Sequence, residues 1–299
     1  MVDRSDIIFV GAILDKRLCR LVKNNPKSVP IFEHLSRFRP FFPNIVVESL
    51  RRIKFYLTIQ RRLSHLNKKY VLCRSSFAGS DFRFCGWSKR TTLKFSYFPI
   101  LSYASDEQLK DKQDILYVGR DIGVKHPEIA LFAYRLLSQR QPNKLYIVGE
   151  GLKKYVDRDD IIWNESIENR DLLKLFAKSS VFVFPSDRRE GFGVVVLEAL
   201  AAGCIVFANS SAGATRYLIN DKKNGFSYKT KRGLKKRIAY FEKMPPEQIL
   251  EMRRNAVRTV QLLWNGSVAA KRMVCFIKCF IEGSEFVPYA EGPFSLDKG

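Results

Sequence analysis

Glu190 and Glu198 stand eight positions apart, separated only by glycine and apolar residues: Glu190-Gly191-Phe192-Gly193-Val194-Val195-Val196-Leu197-Glu198. A carboxylate in so apolar a stretch costs free energy unless something pairs with it. Two explanations fit. Glu190 could cap a helix while Glu198 meets an internal Lys or Arg. Alternatively, both carboxylates could face one cleft and accept hydrogen bonds from the hydroxyl groups of a ligand.

Two further groups sharpen the choice. Gly119-Arg120 follows an apolar run, and Lys125 comes five residues later. A strand-end glycine with two cations above one sheet edge suits a diphosphate, because Arg offers a planar fork and Lys a point charge. Exposed loop cations would look the same. Gly191 and Gly193 precede a helix, where free backbone N–H groups favour an anion. The pattern is neither GxGxxG nor a Walker loop, so neither dinucleotides nor ATP are implied. Cations and amides for phosphate, with carboxylates for hydroxyls, together describe a nucleotide-sugar pocket.

These residues need a scaffold. Val181-Phe182-Val183-Phe184 reads as a buried strand closed by Pro185, and Val194 to Ala202 as a helix packed between layers. The helix starts near Gly193, which places Glu198 one to two turns inside it. Both acids then lie beyond the C-terminal end of a parallel strand, where open α/β sheets bind ligands.

The rest of the chain alternates in the same way. Strands are expected at Ile7–Val10, Val29–Phe32, Tyr70–Cys73, Ile115–Val118, Leu145–Val148, Ile161–Trp163 and Ile205–Ala208, with an extended run at Thr91–Phe98. Helices are expected at Asp15–Lys23, Ile45 to about Leu66, Ser76–Phe84, from Pro127, Leu172–Ala177, Pro246–Leu263 and Ser267–Ile281. This βαβ rhythm means a parallel α/β protein. Ser102 to Gln113 is polar and reads as a linker, Asn224-Gly225 as a turn, and the tail from Gly283 as polar and loose.

The 299 residues suit two domains, and 46% hydrophobic residues suffice for packed cores. With 52 Lys and Arg against 30 Asp and Glu, the net charge of +22 suits a polyanionic partner, either nucleic acid or an anionic membrane surface. Cys19, Cys73, Cys85, Cys204, Cys275 and Cys279 form no CxxC pair and read as reduced thiols of a cytosolic protein. No metal is expected, since His34, His65 and His126 are scattered too. Asp3, Arg4 and Asp6 argue against a signal peptide, and no stretch reads as a membrane span.

The run Glu190-Gly191-Phe192-Gly193 through Glu198-Ala199-Leu200-Ala201-Ala202-Gly203 resembles the E-x7-E signature of family 4 retaining glycosyltransferases, which have the GT-B fold. The resemblance extends from Asp114 to about Phe280. It takes in Val118-Gly119-Arg120 with Lys125, Leu145 through Gly151, and Phe182-Val183-Phe184-Pro185-Ser186. It implies two Rossmann-like domains facing across a cleft, no metal or other cofactor, and a nucleotide-sugar donor. By resemblance Arg120 and Lys125 would hold the donor diphosphate, Glu198 the ribose hydroxyls and Glu190 the donor sugar, helped by amides near Gly191, Phe192 and Gly193. His34 would lie near that sugar.

The expected division is an N-terminal acceptor-side domain over 1–110, abbreviated because early βα units of the family are not matched, and a donor domain over 111–266. The helix 267–283 would cross back to the first domain, and 284–299 would be a tail. The basic-aromatic stretch Arg37 to Lys69 could bind single-stranded nucleic acid or sit on an anionic bilayer. Nucleic acid is the weaker option, because no RNP, KH or zinc-finger pattern is present.

The expected activity is transfer of a sugar, with retention, to a lipid-linked or surface polysaccharide acceptor of lipopolysaccharide, O-antigen or capsule type. It would take place in the cytoplasm, at the membrane face. The alternatives are a catalytically impaired nucleotide-binding partner subunit and a nucleotide-sugar epimerase.

Overall fold

A computed structural model describes residues 7–11, 27–32, 45–63, 70–137 and 144–297. The expected helix at 15–23, the Glu33-His34 strand end and the loop at 37–43 lie outside the described residues. The chain divides into two compact units, Met1–Phe98 with Gly266–Gly299, and Pro99–Asn265.

The first unit holds four parallel strands, β1 (Ile8–Val10), β2 (Ser28–Phe32), β3 (Val71–Cys73) and β4 (Thr92–Lys94), in consecutive order. Side chains alternate across a strand, and here both faces are apolar. Val71 and Cys73 face Phe55 and Ile59 of α1 (Ile45–Leu63) and Phe82 of α2 (Ala78–Phe84). Leu72 and Leu93 face Phe276 of the C-terminal helix Gly266–Glu282. The sheet is therefore covered on both sides, as parallel sheets require. On α1, the face opposite Phe55 and Ile59 stays exposed through Leu50, Ile53 and Leu57.

The tail corrects the expectation of a loose end. Lys94 N donates to Ser295 O at 2.7 Å, Phe294 N to Lys94 O at 2.7 Å and Asp297 N to Thr92 O at 2.9 Å. The tail thereby covers the open edge of β4, an edge that would otherwise offer unpaired N–H and C=O groups. Phe286 and Phe294 complete the apolar layer around Phe276, and Gly79 N of α2 donates to Asp297 Oδ2 at 3.0 Å.

The second unit holds six parallel strands: β5 (Asp114–Val118), β6 (Leu145–Val148), β7 (Ile161–Asn164), β8 (Ser179–Phe184), β9 (Ile205–Asn209) and β10 (Gly225–Tyr228). Their order is β10-β9-β8-β5-β6-β7. In sequence terms this is 3-2-1-4-5-6, the doubly wound order whose direction reverses between β5 and β8. The helices are α3 (Asp106–Lys110), α4 (Pro127–Leu137), α5 (Asn169–Lys178), α6 (Val195–Ala201), α7 (Thr215–Leu218), α8 (Lys231–Phe241) and α9 (Pro246–Leu262), with α10 (Gly266–Glu282) belonging to the first unit. Val181 and Val183 of β8 share a core with α4 and α8, while Phe182 turns to Phe176 of α5, ring centroids 5.4 Å apart.

Two expectations change here. The stretch 102–113 is no linker: the second unit begins at Pro99. Within it Ser105 and Gln108 form a reciprocal capping box on α3, and Leu109 is buried. Lys112 is buried as well, donating to the carbonyls of Phe176 (2.9 Å), Ala177 (2.5 Å) and Ser179 (3.3 Å) at the end of α5. The Asn224-Gly225 turn leads straight into β10, a strand the sequence reading missed together with α8. Among the described residues no helix is long and apolar enough to cross a membrane.

Candidate functional site

The reversal point between β5 and β8 leaves a crevice beyond their C-terminal ends. Two loops flank it, β5–α4 (119–126) and β8–α6 (185–194). Their roots are tight. Gly119 N donates to Val148 O at 2.9 Å, and a Cβ on Gly149, whose φ is 142°, would stand 2.1 Å from the Gly119 carbonyl oxygen. Only glycine permits that approach.

The β5–α4 loop carries Arg120 and Lys125. Arg120 is exposed, and its guanidinium meets no carboxylate among the described residues. Lys125 is half-buried. Its Nζ donates to Glu190 Oε2 at 2.6 Å across the crevice, and its carbonyl accepts from the Tyr117 hydroxyl at 3.3 Å. Glu190 is therefore not a helix cap: the structure brings it together with Lys125.

Beyond Glu190 the chain bends at Gly193, with φ of 94°, where a Cβ would lie 2.4 Å from the Phe184 ring. Phe192 buries its side chain, leaving the backbone of Gly191 to Gly193 to line the turn. The bend launches α6, and Glu198 sits in its first turn. Glu198 is half-buried, and burial pushes its carboxyl above the ordinary value. Its carboxylate has no hydrogen bond or ion pair among the described residues. The internal Lys or Arg partner that a purely structural reading requires is absent from that set. The buried cations of this unit, Lys112 and Arg253, are spent on carbonyls and on the Ser180 hydroxyl.

The sequence reading overlooked a second set. His126 adopts a φ of 49°. Its Nε2 lies 3.0 Å from Asp187 Oδ2 and its Nδ1 3.0 Å from Glu128 Oε1. Asp187 also accepts from Arg189, through Nε at 3.1 and 3.0 Å and through the backbone N at 2.8 Å, while Arg189 Nη2 donates to Gly123 O. The hydrogen bond that His126 donates to the Asp187 carboxylate raises the His126 pKa. Burial opposes ionisation of Asp187, yet hydrogen bonds from His126 and Arg189 hold it at about 2. No local signal marks this set in the sequence, because Asp187 reaches His126 only through the pairing of β5 with β8. His34 lies outside the described residues.

The sequence and the fold both have relatives. The family described as glycosyl transferases group 1 matches residues 103–259. The Bacillus subtilis strain 168 protein YtcC is 26% identical over 193 residues, 58% of this chain and 46% of that one. Each curated relative is matched over less than half of its own length. Sucrose-phosphate synthase of Thermosynechococcus elongatus superposes with a TM-score of 0.69 at 18% identity, covering 93% of this chain and 74% of that one. HepE of Anabaena, in complex with UDP and glucose, gives 0.59 at 16% identity, covering 86% and 73%. These likenesses are of fold: α/β, with two parallel sheets, of the GT-B type. With half of its residues matched, the chain belongs to the glycosyl transferases group 1 family.

Proposed function

We propose that this protein is a family 4 type retaining glycosyltransferase that uses a nucleotide-sugar donor. The observation that carries the reading is the Lys125–Glu190 ion pair at the point where the strand order reverses, with Glu198, which has no partner among the described residues, in the first turn of the helix that follows the Glu190 loop. Arg120 and Lys125 hold the diphosphate, with the amides of Gly191, Phe192 and Gly193 beside it. Glu198 accepts from the ribose hydroxyls, and Glu190 from the donor sugar. The structure of HepE with UDP and glucose supports a uridine nucleotide as the first donor to try. In the reaction the bond from the anomeric carbon to the diphosphate oxygen breaks, a bond to an acceptor hydroxyl oxygen forms, and the hydroxyl proton passes to the departing diphosphate. Negative charge develops on the departing diphosphate, where the fixed charges of Arg120 and Lys125 stabilise it most. His34 belongs to this proposal through the family resemblance alone; unchanged turnover in His34→Ala removes it.

The acceptor we propose is a lipid-linked or surface polysaccharide, met at an anionic membrane surface. Support comes from α1, which exposes Leu50, Ile53, Tyr56 and Leu57 next to exposed Lys54 and Arg61, and from the net charge of +22. Apolar side chains entering the interface with cations on headgroups is the pattern of a surface-bound helix. Flotation with liposomes should depend on anionic lipid; equal flotation with neutral vesicles defeats the membrane part.

The reaction is tested by incubating the protein with UDP-, GDP- and ADP-sugars and a lipid-linked glycan acceptor, and reading the anomeric configuration of the product by NMR. Retention supports the reading and inversion contradicts it. Nucleotide binding without turnover over a panel of acceptors would favour a nucleotide-binding partner subunit instead.

A further inference from the structure

His126 is placed at a cost. A φ of 49° is uncommon for a residue with a Cβ, and such strain persists where the surroundings over-determine it. Here they do: both ring nitrogens face carboxylate oxygens at 3.0 Å, Glu128 on one side and Asp187 on the other. A neutral imidazole carries one N–H and can donate to only one of them; the imidazolium donates to both. The geometry is that of a charged histidine.

The position of this bridge matters. Glu128 belongs to α4 and Asp187 to the β8–α6 loop, so the imidazolium ties together the two loops that flank the crevice. The tie runs beside three others: Asp187 N donates to Val124 O at 3.0 Å, Arg189 to Gly123 O, and Lys125 to Glu190. Lys125 is the chain neighbour of His126, and Glu190 N donates to the Asp187 carbonyl at 3.0 Å. Moving His126 off Asp187 therefore moves both ends of the Lys125–Glu190 pair.

We propose that His126 is a positioning residue: its imidazolium, bridging Glu128 and Asp187, clamps the two loops and holds Lys125 opposite Glu190 in the register that receives the donor diphosphate. The proposal rests on the donor-site reading above and adds its regulation, since a ring that loses its proton keeps one N–H for two carboxylates and the clamp loosens. The charged groups facing His126 are Glu128 from α4 and Asp187 and Arg189 from the β8–α6 loop, with Lys125 beside it. Tyr117 of β5 and Tyr228 of β10 stay neutral across the range concerned, pushed up by burial and by Glu128. The histidine is thus the group of this cluster whose charge changes, above the ordinary histidine value.

The test joins an NMR titration to nucleotide calorimetry in wild type, His126→Asn and Asp187→Asn. Asparagine tolerates the left-handed backbone but does not ionise. In wild type the amide resonances of Lys125 and Glu190 should shift with the same midpoint as the His126 ring protons. That midpoint should lie above an ordinary histidine and fall in Asp187→Asn. Nucleotide affinity should drop about tenfold as pH rises through it, which corresponds to 1.4 kcal/mol. In His126→Asn both responses should vanish and affinity should remain at the weaker level throughout. The proposal is overturned if Lys125 and Glu190 ignore the imidazole titration, or if His126→Asn keeps the wild-type pH profile. If no nucleotide binds at any pH, the donor-site reading fails, and the titration still decides whether the clamp exists.

Discussion

Lys125 Nζ and Glu190 Oε2 lie 2.6 Å apart, and they come from loops on two strands adjacent in the sheet and 65 residues apart in sequence. Both side chains are largely covered, so each is the other's main compensation for leaving water. A ligand that carries a diphosphate and sugar hydroxyls offers each a new partner, the ammonium a phosphate and the carboxylate a hydroxyl. An ion pair that doubles as two halves of a binding site should behave differently under single and double substitution.

Lys125→Ala should therefore weaken nucleotide binding about tenfold to a hundredfold, the loss of one charge-assisted hydrogen bond of roughly 1.5–3 kcal/mol. It should also lower stability, because Glu190 is left half-buried without its cation. Pairing Lys125→Met with Glu190→Gln should recover stability and leave binding weak. Denaturant unfolding of the four proteins of the cycle checks the first part, with coupling of about 0.5–3 kcal/mol expected. Additive effects would mean that the pair carries no shared energy.

Glu198 offers the opposite trade. Burial raises its pKa and no partner among the described residues offsets it, so between the ordinary and the raised value the folded form keeps a proton that the unfolded chain has released. Stability accordingly falls as pH rises from the ordinary value of 4.5 through the raised one. Glu198→Gln should remove that decline and be at least as stable as wild type at neutral pH. Its nucleotide affinity should fall by roughly 1–2 kcal/mol, the difference between a charge-assisted and a neutral acceptor. Thermal melts across pH and calorimetry read the two halves separately. A variant that loses stability instead would reveal a structural partner for Glu198.

Asp187 and His126 set limits to each other. The Asp187 contribution is complete above the ordinary aspartate range and is lost as pH falls toward about 2. The His126 contribution is complete below the ordinary histidine value and is lost as pH rises through the raised one. The stability difference between wild type and Asp187→Asn should thus peak in the mildly acidic window and narrow on both sides. It should narrow only partly on the alkaline side, where Arg189 still pairs with Asp187. Chemical denaturation at stepped pH gives the curve; a difference independent of pH would show that the pair does not hold the loops.

Removing residues 284–299 should destabilise the first unit and spare nucleotide binding, because every proposed contact to the nucleotide lies in the second. The deletion strips Phe286 and Phe294 from Phe276, each fully buried aromatic being worth about 1.5–3 kcal/mol, and takes away the Asp297 acceptor of Gly79 N. Hydrogen exchange should show β4 and α2 opening first. Unchanged protection there would mean the tail only rests on the edge.

Much of this was legible in the residues. The apolar runs ending in Gly119, Gly149 and Pro185 gave the central strands directly, because strands buried on both faces read as unbroken hydrophobic stretches. Glu190 and Glu198 stood out because their neighbours are apolar. Other parts were hidden for physical reasons. Lys112 looks solvated in a sequence, and its burial depends on three carbonyls some 65 residues away at the end of α5. The short strand β10 hides behind a turn signal at Asn224. The tail is polar by count, and only the open edge of β4 explains why it packs. His126 carried no local sign, since its partner Asp187 arrives only through the pairing of β5 with β8.

The most direct test of the central claim is calorimetric titration of the purified protein with UDP, GDP and ADP, repeated on Glu198→Ala and Arg120→Ala. The account predicts that one nucleotide binds to wild type. Glu198→Ala should lose the ribose contribution and Arg120→Ala the diphosphate contribution, so that both bind at least tenfold more weakly. A folded wild-type protein that binds none of the three, or binds one with both variants unimpaired, would contradict it.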